Sequence, residues 1–218
     1  MGTQKPEIFR FLPKSLLLWG ARLEERLSRD LVRLKVKPNA LTGMSLLAGI
    51  AAGGLFALER PLWAWLALVA CGSFDSLDGK VAALTNTQSA FGAILDSTFD
   101  RYAEFFIYAG LAFHFRSGWA LWLAFLAFLG SVMVSYTRAR AEGLGYVCNV
   151  GIMQRAERLI LLGTAALLGS VFKIFDIAVI TALGLIAVFS NVTAIQRTLW
   201  VKKRERLKSS PIEGTGHE

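Results

Sequence analysis

Six apolar segments of spanning length follow one another along the chain, at 39–58, 62–84, 90–114, 118–141, 156–173 and 175–199. A helix crosses the hydrocarbon core with about 20 residues, and about 17 is the lower limit. Each segment therefore predicts a membrane helix. Turn-forming or charged residues separate them: Glu59-Arg60-Pro61, Thr85-Asn86-Thr87-Gln88, Arg116-Ser117-Gly118, an Arg-rich stretch at 138–158, and Lys173. Upstream of the first segment, Leu16, Trp19, Leu23, Leu27, Leu31 and Leu34 recur every three or four residues, with Arg22, Glu25, Arg26, Arg29 and Arg33 between them. That period predicts an amphipathic helix with a basic face, suited to lie in the membrane interface. The bland alternative is a helix that packs on the rest of the protein.

Composition agrees. Of 218 residues, 54% are hydrophobic and 18% charged, where soluble domains carry about 25% charged residues. Mean hydropathy is +0.48. Intrinsic disorder is excluded for most of the chain. Two cysteines, Cys71 and Cys148, make no disulfide framework. No cleavable signal peptide is expected, and Pro6 stands where N-myristoylation needs Ser or Thr. The net charge of +8 is read as a membrane surface rather than nucleic acid, because the chain is so apolar.

The basic residues orient the helices. Nine lie between Lys5 and Lys37, four in the 138–158 stretch (Arg138, Arg140, Arg155, Arg158), and five in the tail from Lys202 to Lys208. Six spans put all of these on one side and leave only Arg60, Arg116 and Lys173 on the other. The positive-inside rule then places both termini in the cytoplasm. The expected organisation is an N-terminal segment with its amphipathic helix (1–37), a six-helix membrane domain (38–200), and a tail (201–218) that is basic first and disordered towards its end.

Four aspartates stand inside the second and third spans: Asp75, Asp78, Asp96 and Asp100. A charged side chain at the bilayer centre costs about 2.5–3.5 kcal/mol on insertion scales, so four of them must face each other, water or a cation. Asp75 and Asp78 are three apart, and Asp96 and Asp100 four apart, so each pair shares a helix face. Both Asp78 and Asp96 lie roughly 10 Å from the turn near 85–89, which puts them at equal depth in an antiparallel hairpin. Carboxylates gathered in this way suit Mg²⁺ or Mn²⁺, and two such ions are a recurring apparatus for phosphoryl transfer. Gly79 and Gly92 lack side chains that would block close approach. Salt bridging to Lys80 and Arg101 is a poorer account, with two cations for four acids. A cation transporter is the competing class, since intramembrane acids also mark ion pathways. Against it, the outward half of the second span, Leu62 to Gly72, carries no charge.

The stretch Asp75 to Asp100 resembles the signature of the CDP-alcohol phosphotransferase (CDP-alcohol phosphatidyltransferase) family, D-x2-D-G-x2-A-R-x8-G-x3-D-x3-D. Asp75, Asp78, Gly79, Ala82, Gly92, Asp96 and Asp100 are all in register, and Ala83 stands where the family has Arg. Six spans and an N-terminal interfacial helix also belong to that family. The resemblance implies that an acceptor hydroxyl attacks the lipid-side phosphorus of a CDP-linked lipid, CDP-diacylglycerol or CDP-archaeol, and that CMP leaves. It implies that Asp75, Asp78, Asp96 and Asp100 hold two metal ions and that Asp100 is also the general base. Gly79, Lys80, Ala82 and Gly92 are expected along the CDP-lipid site, with Lys80 one turn from Ala83 as a nearby positive charge. Pro38-Asn39-Ala40-Leu41-Thr42 resembles a further family motif, which implies nucleotide contacts for Asn39 and Thr42. A helix-capping role suits Asn39 equally well. The family's site opens to the cytoplasm, and its members are usually homodimers.

Arg138, Arg155, Arg158 and Arg197, with Ser135, gather towards the cytoplasmic side of the predicted topology. Guanidinium groups suit bidentate phosphate binding, so an anionic acceptor is expected in preference to free serine or choline. Arg140 is read as a topology marker. The segments 135–142, 155–158 and 95–101 resemble the phosphatidylinositol phosphate synthase branch and its archaeal ether-lipid relatives. In that branch the positions of Ser135, Arg138, Arg155 and Arg197 bind the phosphate of inositol phosphate, commonly with Lys where Arg138 stands. The expected activity is therefore phospholipid synthesis with inositol phosphate as acceptor. Glycerol 3-phosphate is the alternative, since the arginines alone do not separate two anionic acceptors.

Overall fold

The computed structural model of the protein describes residues 14–209, with side chains from Gly20 to Leu207. Among these residues the fold is all helical, in seven helices: α1 (Lys14–Arg33), α2 (Pro38–Ala57), α3 (Pro61–Leu84), α4 (Ala90–His114), α5 (Ala120–Gly143), α6 (Arg155–Val171) and α7 (Phe175–Ser209). The six expected spans correspond to α2 through α7, and the amphipathic segment to α1.

Three of the helices, α2, α5 and Phe175–Leu207 of α7, are long and apolar enough to cross a membrane on length and composition alone. The other three differ for visible reasons. α3 and α4 have 24 and 25 residues but carry the charged residues Asp75, Asp78 and Lys80, and Asp96, Asp100, Arg101 and Glu104. α6 has 17 residues, at the lower limit for a span. The very acids that mark the site thus remove their helices from a purely apolar definition.

The helix ends follow the punctuation. Lys35, Glu59, Asn86 and Lys173 each adopt a left-handed backbone, with φ between 54° and 58°, just beyond α1, α2, α3 and α6. Backbone N–H groups past each of these residues close on the last helical turn, as Arg60 does on Leu55 at 2.8 Å and Ile174 on Gly169 at 2.8 Å. Gly145 plays the same part after α5. Two boundaries depart from expectation. The Arg-rich stretch at 138–158 shortens to a connection of 144–154, because α5 and α6 extend into it and carry its arginines. α7 does not stop at 199 but continues through Lys208 and Ser209, since 200–209 contains good helix formers and neither Gly nor Pro. The disordered end expected for the tail otherwise lies outside the described residues, as do residues 1–13.

The chain divides into two compact units at Gly110/Leu111. In the first unit α2 meets α4 through small residues: a side chain at Gly49 would meet Ala103, and one at Gly53 would overlap the Phe106 carbonyl. Leu41, Leu77 and Val81 form a buried cluster on which Leu31 and Val32 of α1 pack, with Val36 and Phe74. Glu24 of α1 also accepts a hydrogen bond from Ser76 and pairs with Lys80 at 2.5 Å. α1 is therefore docked on α3, while Leu23 and Leu27 remain 42% and 44% exposed. The packing reading of this helix thus holds for one stripe, and Leu23 and Leu27 lie on another that is exposed.

In the second unit α5 and α6 pack on α7. Gly130 of α5 gives room to Ser190 and Asn191 of α7, and the Asn191 amide donates to the Ala187 carbonyl at 2.7 Å. At the other end of α7, His114 Nε2 lies 2.9 Å from an Asp176 oxygen, with its ring edge-on to Phe115 and Phe175.

Candidate active site

The turn at 85–89 folds α4 back along α3. Ser89 starts α4: its hydroxyl accepts the Gly92 N–H at 3.0 Å, the usual role of a serine at a helix N-cap. In the hairpin so formed, carboxylate oxygens of Asp75, Asp96 and Asp100 all lie within 4.8 Å of one another. The three side chains are half-buried. Three carboxylate oxygens at that separation form a donor set of hard, anionic ligands, which fits a divalent cation such as Mg²⁺ or Mn²⁺.

The fourth aspartate is outside that group of three. Asp78 is 6% exposed, and its Oδ2 accepts a hydrogen bond from Thr42 Oγ1 at 2.6 Å. The carbonyl of Pro38 is 3.2 Å from the same hydroxyl, so the single hydroxyl hydrogen is directed to the shorter, charged partner. The motif at the start of α2 thus bonds to the signature helix itself. Asn39 does not cap α2: the cap position is Lys37, with no side-chain bond, and Asn39 is inside the first turn. Its Oδ1 faces the Cα of Gly92, where a methyl group would stand 3.6 Å away.

The two signature glycines differ. A methyl group on Gly79 would meet nothing within 4 Å, whereas on Gly92 it would crowd Ser89 Oγ at 3.1 Å. Gly79 therefore has open space beside it and is not a packing glycine. Lys80, one residue on, is 42% exposed and pairs with Glu24. Ala82 is half-buried and Ala83 exposed. Arg101 lies 3.4 Å from Asp100, and Glu104, one turn beyond, is buried. The link from Glu24 to Ser76 and Lys80 has no periodic or motif signal, and sequence reasoning missed it. The Ser89 cap was within reach of the Ser-x-x-Gly spacing at the start of α4.

The five residues expected at the acceptor phosphate all belong to the second unit. Arg197 is 2% exposed; its Nε donates to the Val150 carbonyl at 2.8 Å and its Nη1 to the Val134 carbonyl at 2.5 Å. The second bond places Arg197 against the residue before Ser135. Arg158 is 1% exposed, with Nη1 3.4 Å from the Met153 carbonyl. Arg138, Arg158 and Glu142 are within electrostatic reach of Arg197. Arg155 is half-buried at the first position of α6, and Ser135 is half-buried on α5. Arg138 is exposed and pairs with Glu142 one turn on, at 2.9 Å. Arg140 is exposed on the same helix.

Comparison with known proteins agrees with this chemistry. The family defined as CDP-alcohol phosphatidyltransferase matches residues 35–199. The archaetidylinositol phosphate synthase of Pyrococcus horikoshii is 37% identical over 182 residues, covering 83% of this chain and 91% of the relative. The crystal structure of Mycobacterium tuberculosis phosphatidylinositol phosphate synthase with CDP-DAG bound superposes with a TM-score of 0.74 at 28% identity, over 90% of this chain and 100% of that one. The same enzyme in complex with manganese and citrate gives a TM-score of 0.74 at 27% identity, over 88% of this chain and 93% of that one. The chain belongs to the CDP-alcohol phosphatidyltransferase family. It is a membrane transferase of phospholipid synthesis, and its carboxylate cluster fits a divalent metal ion.

Proposed function

We propose that the protein transfers a phosphatidyl or archaetidyl group from CDP-diacylglycerol or CDP-archaeol to inositol phosphate, with release of CMP. The observation that carries this reading is the convergence of Asp75, Asp96 and Asp100 within 4.8 Å in the signature hairpin. The relatives quoted above, named for inositol phosphate products, support the choice of acceptor.

In this reading Asp75, Asp78, Asp96 and Asp100 are the metal ligands, with Asp78 held by Thr42. Two ions, Mg²⁺ or Mn²⁺, would neutralise the diphosphate and the departing CMP. Gly79, Ala82 and Gly92 line the CDP-lipid site, where Gly79 has open space beside it, and Asn39 faces it beside Gly92. Lys80 supplies positive charge near the position that the family gives to Arg. Asp100 takes the proton of the acceptor hydroxyl as the oxygen attacks the lipid-side phosphorus. The new P–O bond forms as the bond between the two phosphates breaks, with its electrons leaving on CMP. Ser135, Arg138, Arg155, Arg158 and Arg197 bind the acceptor phosphate, which carries close to two negative charges near neutral pH.

Six spans, α2 through α7, with both termini and the site on the cytoplasmic side, follow from the distribution of Lys and Arg. The exposed Leu23 and Leu27 of α1 then lie in the interface. A homodimer is expected from the family.

An acceptor panel tests the proposal. CMP release is expected with inositol phosphate and little with free inositol, which lacks the group that the arginines hold. Preference for glycerol 3-phosphate would reassign the acceptor and keep the chemistry. Equal use of inositol and inositol phosphate would return the arginines to topology and lipid head groups.

A further inference from the structure

The connection between α5 and α6 supplies no side chain to the chemistry above, yet it fixes where α6 begins, and α6 begins with Arg155. Its backbone is held from α7. Thr193, fully buried, accepts the N–H groups of Ile152 at 3.2 Å and of Met153 at 3.1 Å on its one hydroxyl oxygen. One turn further along α7, Arg197 Nε takes the Val150 carbonyl. Between these bonds Gly151 adopts φ 134°, and a Cβ there would overlap Thr193 Cγ2. Only glycine suits both the backbone and the contact. Gln154 then opens α6, its N–H donating to Glu157 Oε2 at 3.0 Å. The Met153 backbone is bonded on both sides: its N–H donates to Thr193, and its carbonyl accepts from Arg158 Nη1 at 3.4 Å.

We propose that Thr193 is a positioning residue for the acceptor phosphate site. It pins the 150–153 backbone to α7 and so sets the first turn of α6, with Arg155 and Arg158, against Arg197 one helical turn away on the same helix. The proposal rests on the reading that these arginines take the acceptor phosphate. Phosphate recognition by several guanidinium groups is sensitive to displacements of about 0.5 Å, and the peg and the buried cation share one rigid element. Without the hydroxyl the buried N–H of Met153 and the part-buried N–H of Ile152 lose their acceptor, and the connection must shift to satisfy the buried one.

The test measures CMP release by the purified full chain in lipid–detergent micelles, for wild type, Thr193→Val, Thr193→Ser and Arg155→Ala. Inositol phosphate and CDP-diacylglycerol are titrated separately. The expected pattern is an acceptor KM raised about tenfold in Thr193→Val, the size of a lost bond of about 1.4 kcal/mol. The KM for the CDP-lipid stays at the wild-type value, and Thr193→Ser, which keeps the oxygen, restores the acceptor KM. If Arg155→Ala raises the acceptor KM and Thr193→Val does not, the positioning role is wrong and the acceptor reading stands. If neither variant moves it, both fall. If Thr193→Val raises both KM values together, or Thr193→Ser behaves like Thr193→Val, the contact is a structural tether and the proposal is overturned. Should Thr193→Val fail to fold, Gly151→Ala perturbs the same contact and must raise the acceptor KM alone; a wild-type value there also overturns the proposal.

Discussion

Thr42 and Asp78, 36 residues apart in sequence, are joined by a buried 2.6 Å hydrogen bond. The bond ties the start of α2 to the signature helix and orients the one aspartate that does not join the 4.8 Å cluster. Hydrogen bonds to a charged group contribute about 1.5–3 kcal/mol. Thr42→Val is therefore expected to lower kcat about 10- to 100-fold while the protein still folds. An unchanged kcat would show that Asp78 needs no such orientation.

The metal ligands make a sharper prediction. Asp96→Asn removes one anion of the cluster, so turnover is lost and Mn²⁺ binding, read by calorimetry or by electron paramagnetic resonance, weakens. Asp100→Asn also ends turnover, but CDP-lipid still binds, because what is lost is chiefly the proton acceptor. Near-wild-type rates in either variant would remove that residue from the mechanism.

Ala83 is exposed, so an arginine fits there without displacing core residues. Ala83→Arg is expected to lower the KM for the CDP-lipid about tenfold, from one new charge-assisted bond of about 1.5–3 kcal/mol. Lys80 is engaged with Glu24 and is not simply a free substitute. If Lys80 nevertheless compensates, Ala83→Arg changes nothing and Lys80→Ala raises that KM.

Two arginines of the second unit can be tested separately. Arg155→Ala should raise the KM for inositol phosphate. Arg197→Ala should raise it and also lower the melting temperature, because two carbonyls, of Val134 and Val150, lose a charged donor at a buried site. Thermal melting alongside acceptor kinetics checks both. An Arg197→Ala protein with wild-type kinetics but reduced stability would confine that residue to the scaffold.

Much of this was legible in the sequence because it is local. The spacing of Asp75, Asp78, Asp96 and Asp100 about a short turn puts each pair on one helix face, and Asp75, Asp96 and Asp100 converge across the hairpin, while the bond to Thr42 that holds Asp78 has no counterpart in that spacing. Helix ends fell at Glu59, Asn86 and Lys173, where left-handed residues stop the helices. The partner choices across the fold were not legible. Nothing periodic says that Thr42 bonds to Asp78, that Glu24 reaches Ser76 and Lys80, or that Thr193 holds the backbone before Arg155. Asn39 could be read as a cap until the helix was seen to begin at Pro38, which shifts the cap to Lys37. The role of Arg197 was half visible: its charge suggested phosphate, but its bonds to the Val134 carbonyl of α5 and to the Val150 carbonyl of the connection depend on packing that only the fold specifies.

The central claim is that the carboxylate hairpin is a metal-dependent phosphotransferase site. The most direct measurement is CMP release from CDP-diacylglycerol by the purified protein with inositol phosphate, first with a chelator and then with Mn²⁺ or Mg²⁺ restored. The account predicts no CMP under chelation, release when the ion returns, and none from Asp96→Asn under either condition. Metal-independent release, or no release with any acceptor alongside cation flux in liposomes, would contradict it and assign the same aspartates to ion transport.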